Sequence, residues 1–211
     1  MTIQLYAFDT PNGRKISVAL EEMGLPYDVH VVDITQGEQM APAFLAISPN
    51  NKIPAIVDPD GPDGAPISLF ESGAILQYLA EKVGKFLPGD LRGRYEVLQW
   101  LNWQMGGLGP MAGQAGHFNL YAPQFAPAEQ LAYGQKRYGN EVNRLFGVLD
   151  KRLAGRPFVA GDYSIADIAS WPWARQHERL GQDLAAFPSV RTWLERIADR
   201  PAVKRGITVG T

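Results

Sequence analysis

The chain contains no cysteine. A disulfide scaffold, a thiolate metal site and a cysteine nucleophile are therefore all excluded. Histidine is scarce as well. His30, His117 and His177 show no metal-ligand spacing, so no metal is expected. The formal net charge is −2, and the small imbalance gives no reason to expect a nucleic acid or an anionic membrane surface as partner. No apolar stretch approaches the length of a bilayer span. The first ten residues lack the basic region and apolar run of a secretory signal. The expected location is the cytoplasm. What remains is ordinary globular composition: 211 residues, 45% hydrophobic and 20% charged. That is enough for a sizeable core and comfortable for two small domains.

The first part of the chain alternates between two periods. Ile3, Leu5 and Ala7 recur every second residue, which suits a strand. The turn cluster Thr10-Pro11-Asn12-Gly13 follows. Ile16, Ala19, Leu20 and Met23 then recur at helical spacing, with Gly24 placed as a C-cap and Pro26 blocking continuation. Tyr27, Val29 and Val31 read as a second strand. Residues 36–47 read as a loop with a short helix, and Ser48-Pro49-Asn50-Asn51 as a turn. Two further strands, 55–58 and 67–70, flank a turn-rich connection and form a hairpin. Ser72 is placed as the N-cap of an amphipathic helix carrying Ile75, Leu76, Leu79 and Val83. The order βαβαββα, with a parallel crossover followed by an antiparallel hairpin, is the thioredoxin-like order.

Strand signals stop near residue 91. Residues 95–105 and 130–153 carry long helical patterns, the second with a stripe of Tyr138, Val142, Leu145, Leu149 and Leu153. Ser164-Ile165-Ala166-Asp167 reads as a capping box opening another helix, and not as a catalytic pair. A last amphipathic helix, 188–200, is stopped by Pro201. The predicted organisation is α/β plus all-α: a thioredoxin-like domain over 1–86, a linker over 87–90 and a helical-bundle domain over 91–211.

Four segments, in order and with suitable spacing, resemble the glutathione transferase family. They are Thr10-Pro11-Asn12-Gly13, Ser48-Pro49-Asn50-Asn51-Lys52-Ile53-Pro54, Leu69-Phe70-Glu71-Ser72-Gly73-Ala74-Ile75 and Ser164-Ile165-Ala166-Asp167-Ile168-Ala169. The Thr-Pro-Asn-Gly start and Trp103-Gln104-Met105-Gly106-Gly107-Leu108-Gly109-Pro110-Met111 resemble the bacterial nu-class subgroup, whose members are glutathione-dependent disulfide reductases. Asn51 stands where the family turn often carries glycine, a change asparagine tolerates at positive φ. The resemblance implies glutathione as co-substrate, a small disulfide or an electrophile as second substrate, and a homodimer.

Residue types in these segments suit glutathione. Glu71 can pair with the γ-glutamyl ammonium, while Ser72 and the helix start behind it offer donors to the neighbouring carboxylate. The same dipeptide reads equally as a solvated acid and a helix cap. The resemblance implies a cis Ile53-Pro54 bond with the Ile53 main chain pairing with the cysteinyl residue. Lys52 can reach the glycyl carboxylate or be a plain surface lysine. Gln39 and Arg137 enter through the resemblance alone, Gln39 toward the glycyl end and Arg137 from the helical domain. Thr10 and Asn12 are the candidate catalytic residues. They stand at a helix start, where donors gather, and can polarise the sulfur of glutathione. Tyr6 falls inside the first strand and reads as a packing residue. Two further readings stay open: a non-catalytic glutathione-binding or regulatory protein, and isomerase or dehalogenase chemistry on the same site.

Overall fold

The computed structural model of the chain describes residues 2–209. Contacts divide it into two units, one of Met1–Gly89 with Ala198–Thr211, the other of Asp90–Ile197.

In the first unit, β1 (Ile3–Ala7) has alternate residues buried, as its period of two requires. Helix α1 (Pro11–Met23) begins on Thr10, whose hydroxyl accepts from the Gly13 N–H, and ends on Gly24 at φ 66°. Strand β2 (Tyr27–Val31) runs parallel to β1, with Ile3 opposite Tyr27 and Ala7 opposite Val31. The short helix α2 (Pro42–Leu45) follows. Strands β3 (Ala55–Asp58) and β4 (Ile67–Phe70) form the antiparallel hairpin, and β3 also pairs antiparallel with β1. The sheet order is β2-β1-β3-β4. The hairpin connection holds a 3-10 turn, Pro62–Gly64, with Asp63 and Gly64 both at positive φ. Helix α3 (Ser72–Val83) closes the motif. Helices α1 and α3 pack on each other. Leu5, Ile16, Leu20, Ile56, Ile75, Leu76 and Leu79 are fully buried in this core.

The second unit is helical throughout its main elements. It contains α4 (Leu91–Trp103), α5 (Gly109–Gly116), α6 (Ala128–Leu153), α7 (Ile165–Ala174) and most of α8 (Pro188–Ala198). Two π-helical turns, Gln104–Leu108 and His117–Tyr121, flank α5. The predicted stripe on α6 is buried at Val142, Leu145, Leu149 and Leu153, while Tyr138 is half-buried. The capping box at Ser164 is present. Asp167 does more than cap: its buried carboxylate accepts from the Val159 and Ser164 N–H groups and from the Trp193 indole, at 2.9, 3.1 and 2.9 Å.

Two local expectations are corrected. Pro201 does not end the last helix. Helix α8 stops at Ala198, and Pro201 opens a further helix, α9 (Pro201–Gly206). Proline suits a first helical position, because its N–H would lack a helical partner there anyway. Helix α9 packs on α1. Ser17 donates its hydroxyl to the Gly206 carbonyl at 2.6 Å, and a Cβ at residue 206 would lie 2.6 Å from Val18 Cα. Arg200 and Arg205 pair with Glu22 and Glu21 of α1, both at 2.6 Å. The second correction is at α3. Ser72 is its first helical residue and Glu71 the N-cap, with no side-chain capping bond.

Candidate functional site

Strand register decides which loops meet. Tyr6 of β1 lies opposite Ala55 of β3, so the chain leaving β1 toward Thr10 runs beside the chain entering β3 through Ile53-Pro54. Ala55 also lies opposite Phe70, which brings the chain leaving β4 to Glu71 and Ser72 to that end. β2 is parallel to β1, so the loop that follows it, with Gln39, emerges there too. Asn51 ties this loop to the turn before β3 by donating to Met40 Sδ at 2.9 Å. One end of the sheet thus gathers Thr10, Asn12, Gln39, Lys52, Ile53, Glu71 and Ser72. The N-termini of α1 and α3 open at the same end. Arg137 is exposed on α6, in the other unit, and is not among the residues this register assembles.

Thr10 caps α1 as an acceptor, from Gly13 N at 3.1 Å. A hydroxyl that accepts still has its own hydrogen to donate. Asn12 occupies the first turn of α1, where backbone N–H groups have no helical carbonyl to meet. Gly13 is required here: a Cβ would lie 2.3 Å from the Phe8 carbonyl oxygen. Tyr6 is a packing residue in this structure. Its ring stacks on His30, with centroids 4.7 Å apart, and packs with Phe44, Val32 and Ala55.

Glu71 is exposed and held at φ 69°, ψ 109°, a conformation that L-residues rarely adopt. Such backbone outliers concentrate at functional sites. Its neighbour Ser72 is buried and accepts a hydrogen bond from Lys15 Nζ at 3.3 Å. Sequence reasoning missed Lys15, which is only 1% exposed. Burial drives its pKa down to about 7, with the Glu71 carboxylate pulling the other way. A signal was available: Val18 and Ala19 follow Lys15 at the i+3 and i+4 positions of α1, so the lysine belongs to the buried arc.

The remaining candidates lie around the entry to β3. The Ile53-Pro54 bond is cis and Asn51 has φ 49°, both as expected. Lys52 is exposed. Gln39 donates to the Ile34 carbonyl at 3.4 Å, while its Oε1 is buried without a hydrogen-bond partner. Buried polar atoms in folded proteins nearly always find a partner, so this oxygen fits a ligand donor. Two helix N-termini, an exposed carboxylate, a buried hydroxyl and an exposed lysine together suit a zwitterionic peptide with more than one carboxylate. Among the described residues, no group of three or more His, Cys, Asp or Glu could hold a metal ion. No helix of the described residues is long and apolar enough to cross a membrane.

Comparison with known proteins gives a consistent result. The family model for the glutathione S-transferase N-terminal domain matches residues 10–82, and that for the C-terminal domain matches residues 110–201. The disulfide-bond oxidoreductase YfcG of Escherichia coli is 54% identical over 207 residues, 97% of this chain and 94% of the relative. A glutathione transferase family member from Pseudomonas fluorescens, solved with two glutathione bound, superposes with a TM-score of 0.91 at 50% identity. That match covers 98% of this chain and 92% of the other. A glutathione transferase from Pseudomonas putida, solved with one glutathione disulfide per subunit, has a TM-score of 0.92 at 47% identity. It is matched over 92% of its length by all of this chain.

Proposed function

The chain belongs to the glutathione S-transferase family, and from that premise we propose that it is a glutathione-dependent disulfide-bond oxidoreductase. The observation that carries the choice of reaction is the 54% identity, over nearly the whole chain, to a relative named for disulfide-bond oxidoreduction. The absence of cysteine agrees with it in a specific way: the protein has no thiol of its own to exchange, so the reacting sulfurs belong to ligands. Reduction of one disulfide by two glutathiones yields two thiols and glutathione disulfide, both electrons coming from the ligand sulfurs. The two Pseudomonas proteins were solved with two glutathione bound and with one glutathione disulfide per subunit, respectively.

The chain's own contribution is binding and polarisation. Glu71 pairs with the γ-glutamyl ammonium. Ser72 and the N–H groups opening α3 receive the adjoining carboxylate, helped by the positive end of the helix dipole. The Ile53 main chain pairs with the cysteinyl residue, and Gln39 and Lys52 serve the glycyl end. Thr10 and Asn12 donate to the sulfur and favour its thiolate, since a free thiol with pKa of about 8.5 is mostly protonated at neutral pH. The working form is a homodimer in the cytoplasm, and sedimentation velocity should return about twice the 23.2 kDa chain mass.

A paired assay tests the reaction. With glutathione in both arms, turnover of a small model disulfide is compared with conjugation of a chlorinated aromatic. Disulfide reduction should dominate. Efficient conjugation with no disulfide turnover would reject the proposal.

A further inference from the structure

Lys15 is a buried cation source that the proposed function does not use. It stands on α1, three residues after Asn12, and reaches the first residue of α3. Its Nζ donates to Ser72 Oγ at 3.3 Å, and both side chains are buried. A lysine amine offers three donors when charged and no acceptor. When Lys15 is charged, Ser72 can only receive from it, and the Ser72 hydroxyl hydrogen is then turned away from the amine. The exposed Glu71 carboxylate acts on Lys15 through space.

We propose that Lys15 is a positioning residue of the γ-glutamyl site, one that orients the Ser72 hydroxyl and takes up a proton when the ligand's α-carboxylate docks at the start of α3. The proposal rests on the reading that Glu71 and Ser72 receive the glutathione head. Without ligand, burial outweighs the pull of Glu71, and the amine is largely neutral above about pH 7. A carboxylate arriving one hydroxyl away favours the ammonium. The ligand's ammonium is drawn to Glu71 on the outer side.

Other charged groups on the packed elements are engaged elsewhere. On α1, Arg14 pairs with Asp9, Glu21 with Arg205 and Glu22 with Arg200. On α3, Lys82 pairs with Asp58 and Asp60, and Glu81 lies beside it in the last turn, far from Ser72 along the helix. On α9, Lys204 pairs with Asp199. The Glu71 carboxylate raises the Lys15 pKa against burial, and the ligand carboxylate would act in the same direction.

Calorimetric titration with S-methylglutathione tests this, because that ligand has no thiol proton to release. Titrations near pH 7.5 in buffers of different ionisation enthalpy count protons exchanged. The wild-type protein should take up about half a proton or more on binding, and Lys15→Met should lose most of that uptake. The wild-type affinity should fall by up to about tenfold per pH unit above pH ~7.5, and the Lys15→Met affinity should be several-fold weaker and flatter with pH. Binding heats independent of buffer in the wild-type protein, a measurement that needs no variant, would overturn the proposal. So would proton uptake retained in Lys15→Met. Glu71→Ala keeps the two levels apart: if it binds as tightly as wild type, the site reading falls and the Lys15 proposal with it. If Glu71→Ala binds weakly while Lys15→Met matches wild type in affinity and uptake, the Lys15 proposal falls alone.

Discussion

Tyr78 of α3 donates its phenolic O–H to the carboxylate of Asp58 at 2.6 Å. Asp58 ends β3 at the opposite end of the strand from Ile53-Pro54, and it is 1% exposed. Lys82 approaches the same carboxylate at 3.1 Å and bonds the Asp60 carbonyl. The cluster ties the far end of the hairpin to α3. Burial pushes the Asp58 carboxyl up, but the Tyr78 hydroxyl, the Asp60 N–H and Lys82 outweigh it, and the net pKa lies below the usual value.

Asp58→Ala should therefore destabilise the first unit by about 3 kcal/mol, leaving Lys82 and Tyr78 without their buried acceptor. Glutathione affinity, measured well below the denaturation temperature, should be unchanged because the cluster is remote from the sheet end of the proposed site. The sign with pH follows from the depressed pKa. The stabilisation is present above the unfolded value of 3.8 and is lost as pH falls through the lower folded value. Acid titration of melting temperature should show wild type converging on the variant below about pH 4.

Asp167 anchors the helical unit. It joins the chain before α7 to α8 through Ser164, Val159 and Trp193. Asp167→Ala should cost roughly 3–5 kcal/mol, since it strands several buried donors and removes half of a capping box. Chemical denaturation followed by Trp fluorescence would detect it. A loss under ~1 kcal/mol would mean that water replaces the carboxylate.

On the proposed reading, Thr10 and Asn12 both donate to the glutathione sulfur. Donation to a thiolate is worth about 1.5–3 kcal/mol, so Thr10→Ala and Asn12→Ala should each lower turnover by roughly ten- to a hundredfold. Thr10→Ala should also lose about 1 kcal/mol of stability with its cap. Thr10→Ser keeps both cap and donor and should stay near wild type. Tyr6→Phe should do little to the rate, because the Tyr6 ring is packed on His30 and Phe44. Collapse of activity in Tyr6→Phe, with normal Asn12→Ala, would move the catalytic donor to the strand.

Lys15 makes a stability prediction of its own. Its folded pKa, about 7, lies below the unfolded value of 10.5. Between those values the unfolded chain binds more protons, so stability should rise with pH across that window. Lys15→Met removes the buried amine and the slope with it. The variant should be more stable than wild type near pH 7, by roughly 2–4 kcal/mol, and the gap should narrow toward pH ~10. Equal melting temperatures at both ends of the window would show that the amine is not desolvated.

Much of the molecule was legible because its signals are local. Alternation at Ile3, Leu5 and Ala7, the Gly24 stop and the Ser164 capping box each act within one turn or one strand, and each appears where the pattern placed it. The pattern places Ser72 one position early, since a serine before an apolar stripe looks alike as N-cap or as first helical residue. Pro201 is ambiguous in sequence, because proline ends one helix and opens another with the same φ.

The amino-acid sequence by itself determined the order of strands and helices from β1 to α3, the caps at Thr10, Gly24 and Ser164 and, through four family-like segments, the kind of ligand. Short-range sterics and hydrogen bonding suffice for those features. The tertiary structure alone decided that Lys15 meets Ser72 across 57 positions of sequence, that α9 returns to α1, and that four separate loops share one sheet end. These depend on strand register and helix packing. Both are set by the burial of many side chains at once, which no single window of sequence contains.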